Sequence, residues 1–480
     1  MTYDTPALII DGKSGSARVQ LWHRNVDAHY VQTKISSTAY LDIRNTAIAA
    51  GLRAFGMSLG FLTSLLLARW LGVDGFGVYS YTVACIVIAT SVGIAGIDRL
   101  LVRNLSVYKT SNSPELYRGQ LVWAIRTGLI LSTFAGLTAA ALVAGRFPAF
   151  SPSPFQGEVP YSAGWRLVCG GSTFAIVVLT VLMRILQTSP RSAGLMVRSL
   201  LPESVVLSGL ELSGLIAVAW FCAWHLDIRA VLLVYASSAL IAALWASTYL
   251  RSSIPATTDR DQYLPAEWRR AAWALTLVVG GSMLIDQVDV VVLGLLRSAH
   301  DVSLYSAADK GAAIVAAPLA AVQLALSPVL AQLWASKDQV ALAATVRRGS
   351  LITTVAGFVI VALLLGPGPW FLALFGTAFK PSYNILAILC AGQLVNAATG
   401  IVGSLLIMSN HEITVARING ACLVLNIALA IPCIHVWGAV GAAMATSIVM
   451  AVRNIAFAWT VRRRLGIDGS ILAAVPGVSK

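Results

Sequence analysis

Charged side chains are scarce in this chain. They make up 11% of its 480 residues, whereas apolar residues make up 57%. Because soluble domains carry about 25% charged residues, this composition excludes an ordinary soluble protein and indicates one that resides in a bilayer.

The sequence also lacks the motifs of several chemistries. Its six cysteines include no Cys-x-x-Cys pair, and its six histidines lie at no metal-ligand spacing, so we predict no metal site. A Gly-Lys-Ser/Thr phosphate loop is missing as well, which argues against ATP hydrolysis. The connecting loops are too short for the catalytic loop of a membrane-embedded glycan polymerase. We therefore expect neither catalytic residues nor a bound cofactor, and no enzyme activity.

Long apolar runs are what the sequence does contain. A bilayer core of about 30 Å needs about 20 apolar residues per helix, and a window of that length predicts transmembrane helices. Twelve spans result: 46–68, 77–97, 121–144, 166–186, 199–222, 230–250, 272–296, 302–333, 349–366, 383–408, 413–434 and 438–460. The fifth is interrupted by Pro202 and Glu203, and the eighth by two prolines. The sequence therefore predicts an all-α, multi-pass membrane protein.

The distribution of Lys and Arg predicts the orientation. With the N-terminus inside, predicted cytoplasmic segments hold 24 of them, external segments hold 6, and the other 4 lie within spans. Because basic loops stay in the cytoplasm, this bias predicts that both termini are cytoplasmic. The net charge of +13 then reflects a face apposed to anionic membrane lipids, so no nucleic-acid partner is predicted.

A faint internal repeat divides the chain into halves. Tyr79-Ser80 follows the first span and Tyr305-Ser306 follows the seventh, at an offset of 226 that also aligns the two spans. Duplicated halves are typical of secondary transporters and predict two pseudo-symmetric lobes of six helices. The predicted segments are a flexible cytoplasmic extension (1–45), an N-lobe (46–250), a cytoplasmic linker (251–271), a C-lobe (272–460) and a cytoplasmic tail (461–480).

Several short motifs resemble those of a known family. They are LARWLGVDGFGVY (67–79), IDQVDVVVLG (285–294) followed by LYSAA (304–308), LFG (374–376), NIALAIP (426–432) and WGAVGAAMAT (437–446). Their types and order resemble the bacterial polysaccharide-biosynthesis flippases, the Wzx-type O-antigen and exopolysaccharide branch of the multidrug/oligosaccharidyl-lipid/polysaccharide (MOP) exporter superfamily. The resemblance covers about 44–466. The N-terminal extension and His300-Asp-Val-Ser303 depart from the pattern.

This resemblance implies a function and a fold. The function is movement of an undecaprenyl-pyrophosphate-linked oligosaccharide from the inner to the outer leaflet of the bacterial cytoplasmic (inner) membrane, next to polysaccharide polymerase machinery. The fold is a V-shaped, MATE-like pair of six-helix lobes around a central cavity that is often cationic. Because a diphosphate cannot cross hydrocarbon unaided, that cavity needs fixed positive charge.

Four basic residues within spans are candidates for contact with the head group: Arg53, Arg126, Lys310 and Arg453. Arg53 shares a face with Gly56 and Gly60, whereas the opposite face carries Leu and Phe, so we expect it at a close helix contact or a cavity wall. The alternative is that Arg53 extends to the cytoplasm from a depth of about 10 Å. Such snorkelling is favoured for Arg126 and Arg453, while Lys310 is expected to face the bundle.

Four acidic residues within spans are candidates for ion coupling: Glu211, Asp286, Asp289 and Asp309. Asp286 lies about 15 Å and Asp289 about 10 Å from the outer end of the seventh span, at depths where Asp309 and Lys310 of the eighth span also lie. Burial favours the neutral carboxyl and a nearby Lys the ionised form, so such a group takes up and releases H+ or Na+. The alternative is a static bridge from Asp286 or Asp289 to Lys310.

Two other functions remain open at this point. A cation-coupled multidrug exporter of the same superfamily would need an aromatic and acidic cavity, which the intramembrane Arg and Lys disfavour. The other is a non-transporting enzyme or scaffold of polysaccharide assembly. The short loops disfavour the enzyme but not the scaffold.

Overall fold

The structure, a computed structural model, describes residues 28–146, 163–221, 226–253, 262–409 and 411–466. Within these ranges, eight helices are long and apolar enough to cross a membrane, or nine if the bent pair Thr377–Thr399 and Val402–Met408 is one span. The regular structure in these ranges is entirely helical.

Fifteen α-helices follow one another along the chain. They are α1 (Ala28–Ile94), α2 (Ile97–Thr110), α3 (Pro114–Arg146), α4 (Ala163–Leu186), α5 (Thr188–Ser192), α6 (Met196–Leu201), α7 (Ser208–Phe221), α8 (Ile228–Ser253), α9 (Pro265–Leu296), α10 (Ala299–Ala335), α11 (Gln339–Leu365), α12 (Gly368–Ala373), α13 (Tyr383–Thr399), α14 (Val402–Met408) and α15 (Glu412–Leu465). A π-helical segment, Pro202–Leu207, joins α6 to α7, and a 3-10 segment, Thr377–Ser382, leads into α13.

The two longest helices each contain a glycine break. Gly72 in α1 has φ 69° and Gly438 in α15 has φ 57°, a backbone region that glycine adopts without steric cost. A Cβ added at Gly441 would overlap the carbonyl of Cys433, so the chain folds back on itself at Gly438. If α1 and α15 are each divided into two spans at these glycines, and the 32-residue α9 is counted as a span, the number of spans agrees with the twelve predicted from the sequence.

Two features of the spans differ from the sequence prediction, and a third agrees with it. The seventh span begins within the predicted linker, since α9 starts at Pro265, where proline at the first helical turn costs no hydrogen bond. The tenth span is bent by 46° between α13 and α14, at Gly400. Pro202 does not end the fifth span, because the helix continues through the π-helical segment. Some predicted segments lie outside the described residues. They are residues 1–27 of the extension, the loop over 147–162 and the tail beyond Gly466.

We call the helices from Ile48 of α1 to the end of α8 the N-lobe, and α9–α15 the C-lobe. In the N-lobe α4 packs against α3 and α8, and in the C-lobe α13 packs against α10, α11 and α15. The α9 helix packs along α15 and also contacts α2 and α3 of the N-lobe. Large apolar side chains such as Phe134, Trp220 and Phe358 remain exposed, as expected for helices that face lipid.

Candidate functional site

The C-lobe contains a buried carboxylate, Asp289 of α9. Its side chain is 1% exposed, and its Oδ2 accepts a hydrogen bond of 2.8 Å from the Thr446 hydroxyl of α15. The Tyr305 hydroxyl of α10 lies 3.0 Å from the same threonine oxygen. Since a carboxyl in an apolar bundle is costly unless it is hydrogen-bonded, Tyr305 and Thr446 stabilise Asp289 at this position.

Polar atoms beside Asp289 remain without a hydrogen-bond partner among the described residues. The amide of Asn426 lies next to the carboxylate, and both of its polar atoms are buried without a hydrogen bond of good geometry. The second carboxylate oxygen, Oδ1 of Asp289, is buried and unpartnered too. Oxygens from α9, α10 and α15 therefore converge at this buried carboxylate.

Asp286 lies one helical turn before Asp289 but in a different environment. Its side chain is 62% exposed, and its Oδ1 lies 4.0 Å from Nη1 of Arg453, whose side chain is 15% exposed. The basic partner that the described residues give Asp286 is thus Arg453 of α15, whereas the alternative considered from the sequence was a static bridge to Lys310. Snorkelling of Arg453 stays a prediction, and in the structure its guanidinium lies against α9.

Lys310 and Asp309 lie next to each other on α10. Lys310 is exposed, as are Ala313 and Ala317 on the same face, and its electrostatic partner is Asp309, which also interacts with Asp286. A face of small residues and a lysine is unsuited to lipid, where large apolar side chains are favoured, so it suits the wall of a polar cavity.

The N-lobe contains a second carboxylate, Glu211 of α7. The Tyr79 hydroxyl of α1 donates a hydrogen bond of 3.3 Å to Glu211 Oε1. Tyr79 is buried, and Tyr235 of α8 lies within electrostatic range of the same carboxylate. Three helices of the N-lobe thus meet at Glu211.

The internal repeat recurs in these two sites. Tyr79 and Tyr305 are the tyrosines that the offset of 226 superposes. One binds Glu211 directly, and the other reaches Asp289 through Thr446. Sequence reasoning used these tyrosines only to align the halves and did not assign them a structural role; their recurrence was the signal that they support the acidic residues.

The inner half of α1 carries Arg53. Arg53 is exposed, and the described part of the chain provides it with neither a hydrogen bond nor an ion pair. One turn along the helix, a Cβ added at Gly56 would lie 2.9 Å from the Ser204 carbonyl oxygen, whereas nothing lies within 4 Å of Gly60. The predicted small-residue face therefore makes a close contact at Gly56 and borders open space at Gly60. Arg126 of α3 is exposed as well and remains a candidate by position alone.

Two arginines of the N-lobe bind backbone carbonyls of the C-lobe. Nε of Arg69 donates to the Leu374 carbonyl over 2.7 Å, and Nε of Arg146 donates to the Gly294 carbonyl over 2.7 Å. We call the end of the bundle where these bonds lie the latched end. Charge-assisted hydrogen bonds of this kind hold the two lobes together there.

An aromatic cluster fills the space between the lobes beside these bonds. Phe61 and Phe76 come from α1, and Phe375 and Phe379 follow α12 in the C-lobe, with ring centroids 5.8 to 6.4 Å apart. Phe76 and Phe375 are fully buried. This dry cluster excludes water from the latched end.

The opposite end of the bundle is open along α1. None of residues 51–60 is buried, whereas Thr63, Ser64, Leu67 and Ala68 are. The α10 helix follows the same trend, since residues 302–308 are mostly buried and the Lys310 face is exposed. The space between α1 and α10 is therefore closed at the latched end and accessible from the other, which also carries the exposed arginines of α2.

Metal coordination finds no support in the described ranges, where no three His, Cys, Asp or Glu side chains form a group that would hold a metal ion. Asp286, Asp289 and Asp309 interact electrostatically but do not chelate one ion together. Any ion bound at Asp289 would therefore take hydroxyl, amide or carbonyl oxygens as its further ligands.

Comparison with solved structures shows the fold. An inward-facing multidrug resistance MATE family transporter of the MOP superfamily is 14% identical, with 87% of this chain and 98% of that chain covered and a TM-score of 0.68. The lipid II flippase MurJ in an inward closed conformation is 12% identical, with 87% of each chain covered and a TM-score of 0.67. A MOP superfamily transporter from Pyrococcus furiosus, described as having a binding pocket of reversed polarity, is 17% identical, covers 88% and 96%, and has a TM-score of 0.61.

Family models add the evidence from sequence. The model of polysaccharide biosynthesis proteins matches residues 43–334, and the MatE model matches residues 276–431. No curated protein sequence matches the chain. The first model spans more than half of the chain, and the structural neighbours are described as transporters and a flippase. The chain therefore belongs to the polysaccharide biosynthesis protein family and has the two-lobed fold of MOP superfamily transporters.

Proposed function

We propose that this protein is a flippase that moves an undecaprenyl-diphosphate-linked oligosaccharide from the inner to the outer leaflet of the bacterial cytoplasmic membrane. The observation that carries the proposal is the charge of the open space between the lobes: its accessible faces on α1 and α10 present Arg53 and Lys310. Fixed positive charge suits an anionic head group and opposes a cationic drug.

The geometry supports a division of the substrate between two environments. The diphosphate and sugars would occupy the polar space between α1 and α10, while the polyprenyl chain stays in lipid at the exposed apolar surfaces. Arg53 would contact the diphosphate first, because it is exposed and is not neutralised by an ion pair among the described residues. Its planar guanidinium matches two phosphate oxygens at once.

Alternating access would proceed by opening the latched end. The bonds from Arg69 and Arg146 end on carbonyls, which water can hydrate once the lobes part, so opening leaves no buried charge unpaired. The aromatic cluster would separate at the same time, exposing the substrate to the other side. Six helices on each side of the space suit a rigid-body rocking motion.

Ion coupling is proposed at Asp289, with H+ or Na+ as the coupling ion. The unpartnered Oδ1 of Asp289 and the amide of Asn426 are the groups that would receive it. Both α9 and α15 contribute to this site, and α9 also contacts the N-lobe. Asp289 therefore lies on a helix that links the two lobes, and a change in its charge would act on that helix. Glu211, bound by Tyr79, is the corresponding candidate in the N-lobe.

Orientation and assembly follow from the same proposal. With both termini in the cytoplasm, as the bias of Lys and Arg supports, the open end would lie at the cytoplasmic face, where the lipid-linked substrate is made. A polysaccharide polymerase that consumes the flipped unit would be the partner expected on the external side.

A complementation experiment tests this function. In a strain that lacks its own flippase, the wild-type protein should restore surface polysaccharide, and the Arg53→Ala variant should not. The Arg103→Ala variant, which removes an exposed arginine of α2 whose hydrogen bond among the described residues goes to the adjacent Asn104, is the matched control and should restore it. Failure of the wild type to restore any polysaccharide, with the protein present in the membrane, would contradict the proposal.

A multidrug exporter is the second candidate, favoured by the MatE match to the C-lobe and by the MATE neighbours. It predicts that expression protects cells from cationic drugs and leaves polysaccharide unchanged. The flippase proposal predicts the opposite pair of results.

A further inference from the structure

A polar cluster lies where α1, α4, α5 and the π-helical segment meet in the N-lobe. Nη2 of Arg184 lies 2.8 Å from Oε1 of Glu203, and the two side chains are about one third exposed. Glu203 belongs to the π-helical segment, a helix type that is frequent at functional sites. The pair is partly shielded from water but not sealed within the bundle.

Two hydrogen-bond donors of this cluster are buried and have no partner among the described residues. Nε of Arg184 and Nε2 of Gln187 are both buried, and the described residues give neither a hydrogen-bond partner. Gln187 is 1% exposed. Because Gln187 has helical geometry between α4 and α5, positions 184, 187 and 191 share one side of a nearly continuous helix. Two orphan N–H groups and the Arg191 guanidinium thus lie on the same side.

Positive charge exceeds negative charge as well. Arg191 interacts electrostatically with Arg53, Arg184, Glu203 and Asp98, and the described residues offer it no ion pair within 4 Å. Three guanidinium groups therefore share two carboxylates. A bridge that served only to join α4 to the π-helical segment would need one arginine and one carboxylate, so the additional guanidinium groups suit an anionic ligand.

The α1 helix places Arg53 at the edge of the cluster. The contact of Gly56 with the Ser204 carbonyl brings α1 against the residue next to Glu203. Arg53 lies one helical turn away on the same face of α1 and is exposed. The cluster therefore connects with the open space between the lobes through Arg53.

We propose that Arg53, Arg184, Gln187 and Arg191 form a binding site for the diphosphate of a polyprenyl-diphosphate lipid, with Glu203 as the counter-charge that the diphosphate displaces. We call these five residues the arginine pocket. The inference rests on the proposed function and adds to it three residues, Arg184, Gln187 and Arg191, together with a role for Glu203. Guanidinium groups bind phosphate oxygens in pairs, and the orphan donors supply further hydrogen bonds.

The carboxylate of Glu203 gives the arginine pocket a property that can be tested by measuring diphosphate affinity. While no lipid is bound, Glu203 neutralises Arg184; when the diphosphate enters, the same carboxylate repels it and competes for the guanidinium. Replacing Glu203 by Gln should therefore tighten diphosphate binding several-fold, although it removes a salt bridge. A purely structural pair predicts no gain in affinity from this substitution.

The test is binding of undecaprenyl diphosphate, without any sugar, to the full-length protein in nanodiscs of phosphatidylcholine. Loss of one charge-assisted contact corresponds to about a tenfold or greater change in affinity. We expect Arg191→Ala to weaken binding by about that factor and Arg191→Lys to weaken it less. Arg198→Ala, which removes an exposed arginine of the neighbouring α6, should change the affinity by less than about twofold.

Two further probes identify the source of the anion. Inorganic pyrophosphate should bind weakly but with the same dependence on Arg191, whereas phosphatidylglycerol should bind without that dependence. A dependence on Arg191 for phosphatidylglycerol alone would overturn the diphosphate assignment. Thermal unfolding of each variant shows whether the chain is folded, and the gain in Glu203→Gln tests the pocket even if an arginine variant fails to fold.

The outcomes separate the pocket from the function. Normal diphosphate binding in Arg191→Ala, combined with no gain in Glu203→Gln, would overturn the pocket while leaving flipping intact. Arginine-dependent binding in a protein that moves no lipid-linked glycan in liposomes would retain the pocket and overturn the flippase.

Discussion

Substituting alanine for Gly77 tests whether the two lobes close directly against each other at the latched end. Gly77 lies in α1, and a Cβ at this position would overlap the carbonyl oxygen of Ala299, the first residue of α10. Ala299 is 1% exposed, and a backbone oxygen cannot rotate away as a side chain can. The clash is therefore relieved only when α1 and α10 move apart.

The required movement sets the expected magnitude. Separations below 3.0 Å essentially never occur at real Cβ atoms, so the lobes must part by on the order of 1 Å at this point. Overpacking of this kind costs about 1 to 3 kcal/mol. A cost confined to the closed conformation lowers its population relative to the open one by about 5- to 150-fold. Within each lobe the packing is unchanged, so we expect the fold to persist.

Distances between spin labels at positions 229 and 437 measure this population, because both side chains are exposed and lie in different lobes. Gly77→Ala should shift the distribution toward longer distances. Gly145→Ala is the matched control, since nothing lies within 4 Å of the added Cβ, and its distribution should equal that of the wild type. An unchanged distribution in folded Gly77→Ala protein would refute the direct contact of the lobes.

Three other predictions concern Asp289, the pair of Asp286 with Arg453, and the glycines of α1. Asp289→Asn keeps the shape of the side chain but removes its charge, so we expect ion-dependent transport to be lost with the fold retained; normal ion-dependent flux would exclude Asp289 from coupling. Removing the 4.0 Å pair through Asp286→Ala or Arg453→Ala should change the free energy of unfolding by less than about 1 kcal/mol, because one partner is exposed; a larger loss in denaturation would show that the pair holds α9 to α15. Gly56→Ala should destabilise the protein by about 1 to 3 kcal/mol, whereas Gly60→Ala should have a much smaller effect, and equal shifts in thermal unfolding would contradict the close helix contact at Gly56.

Composition and periodicity predict the membrane fold well, because every span must satisfy its own backbone within an apolar length. They also place the hairpin turns near Gly72 and Gly438, where glycine follows a full-length apolar run. The bend at Gly400 escapes prediction, since the apolar run continues through it without a break. The local sequence indicates which segments are apolar, whereas the bend at Gly400 depends on how α13 and α14 pack against other helices.

The candidate site is predicted less completely. The depth of Asp289 along its helix identifies a costly buried acid, but depth does not give rotation about the helix axis relative to other helices. Depth alone therefore pointed to Lys310 as the partner of Asp286, whereas the structure shows Arg453 there. Arg184 and Arg191 were overlooked because they lie at the predicted end of the fourth span, where basic residues ordinarily mark only the cytoplasmic face.

The most direct test of the central claim is lipid flipping by the purified protein in liposomes. A fluorescent undecaprenyl-diphosphate-linked oligosaccharide is incorporated, and the fraction that a membrane-impermeant quencher can reach is followed under an H+ or a Na+ gradient. We predict that the wild type moves the lipid between leaflets under one of these gradients and that Arg53→Ala does not. Absence of movement by the wild type under both gradients would contradict the claim.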